Sequence, residues 1–186
     1  MLTQIFSLER INTPTGPMLI VTDDNHCMRA ADWEDHEQRM RTLLRQQYGA
    51  NAIELRETSR PSAASRSLDA YFEGELNAID NLPVATKGTE FQRKVWSALR
   101  CIPVGHTVSY STLAARIGRP TATRAVGHAN GSNPISIVVP CHRVIGANAS
   151  LTGYGGGLDR KRWLLAHESA CSMPSIESNQ KKTERV

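Results

Sequence analysis

The sequence contains no run of about 18 consecutive apolar residues, the length that a membrane-spanning helix needs. Its first residues lack a basic segment followed by a long apolar stretch, so we predict neither a secretory signal nor a membrane anchor. The four cysteines include no closely spaced pair, which argues against a disulfide framework and a zinc ribbon. These absences favour a cytoplasmic protein with free thiols, no structural metal and no membrane partner.

Aromatic residues are scarce at 5%, but 40% of the 186 residues are apolar and 22% are charged, which is typical of a globular chain of one or two domains. The charge is unevenly distributed. Residues 1–86 carry 8 Lys and Arg against 13 Asp and Glu, whereas residues 87–168 carry 11 against 3. A basic half of this kind indicates contact with a polyanion such as nucleic acid. Attraction between the two halves of the chain is the alternative explanation.

The chain is predicted to be of the α+β class, with a small N-terminal α/β domain over residues 1–86. Three short apolar segments predict the strands of a short antiparallel sheet: residues 2–9, 18–21 and 28–33. Apolar residues at helical spacing predict a helix over 35–48. Pro61 can open a second helix, which extends through Phe72.

Residues 87–171 are predicted to form a second, mostly helical domain. Thr89 and Gln92 match a capping box at the start of its first helix, and a last helix is expected over 158–167. Beyond it the composition becomes polar, so residues 172–186 are predicted to be a disordered tail.

Two short helices inside this domain match a helix-turn-helix pattern. Ser111 is predicted to cap the first helix and Gly118 to follow its end, where a positive backbone φ is common. Thr121 is then placed to cap the second helix, which runs from Ala122 to about Asn130. Many packed helix pairs share this spacing, so the pattern by itself leaves DNA contact open.

A β-branched run over 135–139 predicts a buried strand that ends at Pro140. This strand would hold Cys141 rigidly, next to His142 as a candidate base and Arg143 as a positive neighbour. Adjacent side chains of an extended backbone point apart, so a water would have to bridge Cys141 and His142. Glu168 is a candidate partner for His142. Without further context, a Cys-His pair is more often an inert buried cysteine, and a cysteine hydrolase is a further alternative.

The stretch NPISIVVPCHRVIG, residues 133–146, resembles the active-site signature of the O6-alkylguanine-DNA alkyltransferases. Other segments resemble the same family in the same order: GTEFQRKVWSALRCIPVGHTVSYSTLA, TRAVGHANGSNP, TGYGGG and RKRWLLAHE. The N-terminal half is similar, more loosely, to the bacterial constitutive type. Several motifs in order are far more specific than the Pro-Cys-His-Arg segment alone.

The resemblance implies irreversible, stoichiometric transfer of an alkyl group from O6-alkylguanine or O4-alkylthymine to the protein itself. The base would first rotate out of duplex DNA, because the O6 atom is inaccessible to a thiol inside the stack. Cys141 would be the acceptor, His142 a base acting through water, and Glu168 the residue that orients His142. Asn133 would hold the active-site turn by hydrogen bonds. Tyr110 would lie near the departing guanine, which needs a proton as it leaves, and would donate that proton.

The resemblance also implies that the helix-turn-helix docks in the minor groove, with Arg124 filling the vacated stack. The other residues assigned to DNA contact are Thr121, Ala125, Gly127 and Arg143. The residues assigned to the substrate pocket are Val144, Tyr154, Gly155 and Gly156. The expected partner is duplex DNA bound by a monomer, and no cofactor is implied.

Two positions depart from the family pattern. Gly155 stands where some relatives carry Ser, so a hydroxyl that would reach O6 is missing. Ala149 stands where glycine is familiar, and a positive φ there would cost about 1 kcal/mol. A related class of proteins senses lesions without transfer, but those proteins lack the acceptor cysteine that this chain has as Cys141.

Overall fold

The computed structural model describes residues 3–172, which form a mixed α+β fold as predicted. The predicted tail, 172–186, lies outside the described residues apart from Ser172, which ends the last helix. None of the helices within residues 3–172 combines the length and apolar character that a bilayer crossing requires.

The N-terminal sheet has four strands in the order β3-β2-β1-β4. Its strands are β1 (Gln4–Ile11), β2 (Met18–Thr22), β3 (Met28–Trp33) and β4 (Ile53–Glu57). The first three pair antiparallel, as predicted, and β4 adds a parallel edge beside β1 that sequence analysis missed. The sequence of β4, IELRE, is short and charged, so it lacks the apolar run that reveals a buried strand.

Both faces of this sheet are covered. Helix α1 (Glu37–Tyr48) packs on one face through Met40 and Leu44. The other face lies against α2 (Ala63–Phe72) and the C-terminal half, in a core that contains residues from both halves of the chain. Every residue of β2 is therefore buried.

As far as Ser172, the C-terminal half contains four α-helices: α3 (Glu90–Arg100), α4 (Tyr110–Arg116), α5 (Thr123–Gly131) and α6 (Leu158–Ser172). Thr89 and Gln92 form the predicted capping box of α3. Two very short strands, β5 (Val108–Ser109) and β6 (Val144–Ile145), pair in parallel beside the helices.

Helices α4 and α5 form the expected helix-turn-helix, but both predicted caps are wrong. Ser109, not Ser111, caps α4, because its hydroxyl accepts the Thr112 backbone N–H at 3.0 Å. Helix α5 begins after Ala122 without a side-chain cap, so Thr121 does not cap it. Gly118 follows the end of α4 with a φ of +73°, as predicted.

The predicted strand over 135–139 is also wrong. The segment is buried, yet it forms turns, with a single bridge from Ile135 to Ala31 of β3. The Asn133 side chain bonds the backbone at both ends of the segment, Ile135 and Val139, and folds it on itself. Ile137 adopts a φ of +71° there, which a β-branched residue rarely does.

Candidate active site

Cys141 begins a single 3-10 turn, Cys141–Arg143, that emerges from the folded segment. Its thiol is buried, and Sγ lies 3.0 Å from the side-chain nitrogen of Asn133. The same Asn133 nitrogen donates to the Val139 carbonyl at 2.8 Å. Asn133 therefore fixes both the turn and the sulfur atom that the turn presents.

His142, the next residue of the turn, is fully buried and points to Glu168 on α6. Its Nε2 lies 2.8 Å from Oε1 of Glu168. An ionised carboxylate can only accept hydrogen bonds, so Nε2 carries the hydrogen, and a neutral ring keeps an unprotonated Nδ1. Among the described residues, no protein group bonds this buried Nδ1.

Two further donors reach Glu168. The Tyr71 hydroxyl on α2 donates to Oε1 at 2.9 Å. The Arg143 guanidinium donates to Oε1 at 2.9 Å and to Oε2 at 3.0 Å. Charge-assisted bonds of this kind keep a buried carboxylate ionised and fixed in orientation.

The assignment of Arg143 to DNA contact needs correction. Its side chain is only 4% exposed, bonds Glu168 twice and donates to the Ile102 carbonyl at 2.6 Å. A guanidinium held this way has no reach to a DNA phosphate. The charge of Arg143 stabilises the ionised Glu168 carboxylate instead.

The electrostatics of the site keep the reacting groups neutral. Burial raises the pKa of the Cys141 thiol, and the Asn133 hydrogen bond only partly opposes that effect. Burial lowers the pKa of His142, which outweighs the neighbouring Glu168 carboxylate. For Glu168, burial alone would raise the pKa, but the hydrogen bonds from His142 and Arg143, together with the Arg143 charge, hold it well below its usual range. A protonated thiol is a poor nucleophile, so a base has to take its proton as it reacts.

The glycine-rich loop at 146–157 closes over this cluster. Lys161, a fully buried lysine on α6, donates to the carbonyls of Val144 at 2.6 Å and Thr152 at 2.8 Å. The Tyr154 ring lies edge-on to the His142 ring, with centroids 6.4 Å apart. Gly156 is buried directly against the Trp33 ring, where a Cβ atom would clash.

Tyr110 connects this loop to the helix-turn-helix. Its hydroxyl lies 3.4 Å from the Thr152 carbonyl, and its ring lies where a Cβ on Gly127 would be 3.8 Å away. Burial raises the pKa of Tyr110, so the phenol holds its proton. On the outer side, Thr121, Arg124 and Ala125 are exposed on or beside the start of α5.

The structure brings Cys141, His142, Glu168 and Asn133 into one cluster. Sequence reasoning missed four residues that support it: Tyr71, Lys161, Asp32 and Arg39. Lys161 lies in the RKRWLLAHE segment, but no role was assigned to it there, and only the folded chain brings these four residues to the site. Within residues 3–172, no group of three or more His, Cys, Asp or Glu side chains is arranged to hold a metal ion.

Comparison with known proteins identifies the family. Residues 8–86 match the profile of the 6-O-methylguanine DNA methyltransferase ribonuclease-like domain, and residues 90–170 match its DNA binding domain. The chain belongs to the 6-O-methylguanine DNA methyltransferase family. Its enzyme activity is that of a methylated-DNA–protein-cysteine methyltransferase.

Relatives of this name match over most of both chains. Those of Shigella flexneri and Salmonella typhimurium are 52% and 54% identical over 160 residues, which cover 86% of this chain and 94% of theirs. A crystal structure of Mycobacterium tuberculosis OGT in complex with DNA is 39% identical, with a TM-score of 0.71 over 89% of this chain and 94% of the other. The DNA binding domain and this DNA complex indicate that the methyltransferase acts on DNA as its partner.

Proposed function

We propose that this methyltransferase repairs duplex DNA by moving the alkyl group of O6-alkylguanine, or of O4-alkylthymine, onto its own Cys141. Each chain reacts once, because the alkylated Cys141 is a thioether, which has no thiol proton to lose and cannot become a nucleophile again. The observation that carries the proposal is the buried Cys141 thiol, followed in the same turn by the buried, neutral His142 ring. Glu168 holds that ring by Nε2, which leaves Nδ1 as the base.

The chemical step begins with loss of the thiol proton. A water between Cys141 and Nδ1 of His142 relays that proton to the imidazole. Glu168 stabilises the imidazolium that forms, since the carboxylate already accepts the Nε2 hydrogen. The Arg143 charge opposes the imidazolium, but its hydrogen bonds keep that carboxylate ionised and in place. The Asn133 amide, 3.0 Å from Sγ, donates to the sulfur as it gains negative charge.

Transfer then breaks one bond and forms another. The sulfur attacks the alkyl carbon, the S–C bond forms, and the C–O6 bond breaks. The departing guanine would otherwise be an anion, and Tyr110 supplies its proton. The proton that His142 took from the thiol then passes through solvent to the Tyr110 phenolate, which restores both side chains. The net change is one alkyl group moved from base to protein and one proton moved from protein to base.

The base has to leave the DNA stack for the thiol to reach its alkyl group. In the proposal, α5 enters the minor groove and exposed Arg124 takes the place of the flipped base. Thr121 and Ala125 face the DNA beside it, and the small Gly127 lets α5 approach closely. Val144, Tyr154, Gly155 and Gly156 line the pocket, where loop N–H groups reach O6 in place of the serine hydroxyl of some relatives.

We place the reaction in the cytoplasm and assign it to a monomer that uses no cofactor. Three cysteines of the described residues, Cys27, Cys101 and Cys141, are free thiols. A reducing compartment preserves the reactive one.

Stoichiometry tests the proposal. A duplex with one O6-methylguanine is incubated in excess with the protein, then digested to nucleosides that are counted by chromatography. We expect guanine to replace O6-methylguanine in an amount equal to the protein, and no more on longer incubation. Repeated turnover would contradict the proposal and favour a hydrolase, and tight binding without conversion would favour a lesion-sensing binder.

A further inference from the structure

Arg39 reaches the active site from the N-terminal half of the chain. It lies in α1, and its Nη2 donates to the carbonyls of Gly131 at 2.7 Å and Asn133 at 3.1 Å. Its Nη1 donates to Asp32 at the end of β3, at 2.5 Å. One guanidinium thus links the N-terminal sheet to the segment that carries Cys141.

The two carbonyls belong to functional parts of the site. Gly131 is the last residue of α5, and the final carbonyls of a helix have no partner inside it. A cation at this end also complements the negative end of the helix dipole. Asn133 is the residue that holds Sγ of Cys141. Arg39 therefore fixes the end of α5 and the Asn133 turn relative to each other.

The guanidinium also supports the substrate loop. A Cβ atom on Gly155 would lie 2.6 Å from Cζ of Arg39, a separation that atoms cannot adopt without movement. The Gly155 backbone therefore rests directly on the guanidinium. A side chain at 155 would push Arg39 away from its carbonyl acceptors.

Asp32 holds Arg39 in place. Its side chain is 1% exposed, and its other oxygen accepts the Trp33 backbone N–H at 3.0 Å. Burial raises the pKa of Asp32, and the Arg39 charge opposes that effect. The planar fork of an arginine can bond the carboxylate and two carbonyls at once, which a lysine cannot reproduce.

We propose that Arg39, held by Asp32, is a positioning residue for alkyl transfer. It fixes the end of α5, the Asn133 turn and the Gly155 loop in the relative positions that place the flipped base against Cys141. This inference rests on the proposed function, in which Cys141 is the acceptor. Through Arg39, the N-terminal half of the chain then influences the rate of alkyl transfer. Arg39 bonds the C-terminal end of α5, whereas Arg124, the proposed DNA contact, lies at its start, so loss of Arg39 should slow transfer more than it weakens DNA binding.

The first test separates rate from affinity. Arg39→Gln, Arg39→Lys and wild type are mixed in excess with a duplex that carries one O6-methylguanine, and the limiting single-turnover rate is measured alongside the Kd for that duplex. We expect Arg39→Gln to lower the limiting rate by roughly tenfold or more, because small misplacements at a reacting centre are costly. The Kd should change by less than about threefold, below the range of typical coupling effects. Arg39→Lys should recover only part of the rate.

Arg41→Gln is the matched control. Arg41 lies on the same helix, and its side chain forms a partly exposed ion pair with Glu37. Its loss should leave both the rate and the Kd unchanged. A folded Arg39→Gln protein with the wild-type rate would overturn the inference, as would a loss confined to the Kd.

Gly155→Ala provides a second test that keeps Arg39 in the chain and adds a Cβ atom without the hydroxyl that a serine would offer to O6. We expect it to slow transfer as Arg39→Gln does, because the new Cβ displaces the guanidinium. Added to Arg39→Gln, it should cause little further loss, whereas independent effects would multiply. Multiplied losses would therefore overturn the inference.

Wild type in the same experiment separates the two proposals. If wild type gains a methyl group on Cys141 and the Arg39 and Gly155 variants react equally fast, only the role of Arg39 falls. If wild type gains none on Cys141, the proposed function falls, and the role of Arg39 falls with it.

Discussion

The Tyr71 hydroxyl on α2 donates a 2.9 Å hydrogen bond to Oε1 of Glu168 on α6, the same oxygen that lies 2.8 Å from Nε2 of His142. Tyr71 is fully buried and comes from the N-terminal half of the chain. A carboxylate that orients the imidazole is thus itself oriented by a side chain about a hundred residues earlier. This bond and those of Arg39 show that side chains of the N-terminal half hold active-site residues in place.

Tyr71→Phe should lower the free energy of unfolding by about 1.5–3 kcal/mol, the usual range for a lost hydrogen bond to a charged group. It should also slow methyl transfer, because Glu168 then holds His142 less firmly. Chemical denaturation and single-turnover kinetics measure the two effects. Tyr48→Phe, which loses a bond from Arg29 remote from Cys141, is the control and should affect stability alone. Equal rates for Tyr71→Phe and wild type would contradict the role of this bond.

Glu168 should make stability depend on acid pH. Its pKa in the folded protein lies below its usual value, so its contribution is complete above the unfolded pKa of about 4.3 and is lost as pH falls below it. The difference in free energy of unfolding between wild type and Glu168→Gln should therefore shrink as the pH falls from about 5 towards 3. Denaturation curves across this range measure it. A difference that stays constant or grows would mean that the carboxylate is not stabilised in its ionised form.

Ala149 has the strained backbone that sequence analysis anticipated, with a φ of +60°. Ala149→Gly should raise the free energy of unfolding by up to about 1 kcal/mol, because glycine adopts this conformation without steric cost. Ala147→Gly is the matched control in the same loop. It lies among the residues without positive φ and should lower stability slightly through the entropy of the unfolded chain. Destabilisation by Ala149→Gly would show that no strain is relieved there.

Methylation of Cys141 should destabilise the protein. The sulfur lies in a buried pocket beside Asn133, and an added methyl group in close packing costs about 1–3 kcal/mol. The melting temperature of the fully methylated protein should therefore lie below that of the unreacted one. An unchanged or higher melting temperature would contradict the packed geometry.

Local signals predicted the elements that depend on neighbouring residues. The capping box at Thr89 and the first three strands appear in the structure because their caps and apolar patterns act over a few residues. The segment over 135–139 was misjudged because its β-branched composition favours a strand, whereas one side chain, Asn133, imposes turns on it.

The site was predicted in part for the same reason. Cys141, His142 and Glu168 lie in motifs that resemble the family, so the sequence pointed to them. Arg143 was expected to be a positive neighbour of Cys141 and a DNA contact, and only its burial beside Glu168 reveals its partner. Arg39 and Tyr71 gave no local signal, since their partners lie roughly a hundred residues away in the chain.

Intact-mass spectrometry with peptide mapping tests most directly whether Cys141 is the acceptor of the alkyl group. Wild type, Cys141→Ala and Cys101→Ala are each mixed with a duplex that carries one O6-methylguanine; Cys101 is an exposed free thiol and serves as the control. We predict a gain of a single methyl group in wild type and Cys101→Ala, located on the peptide that contains Cys141, and no gain in Cys141→Ala. A methyl group on any other residue, or a wild-type protein without one, would contradict the account.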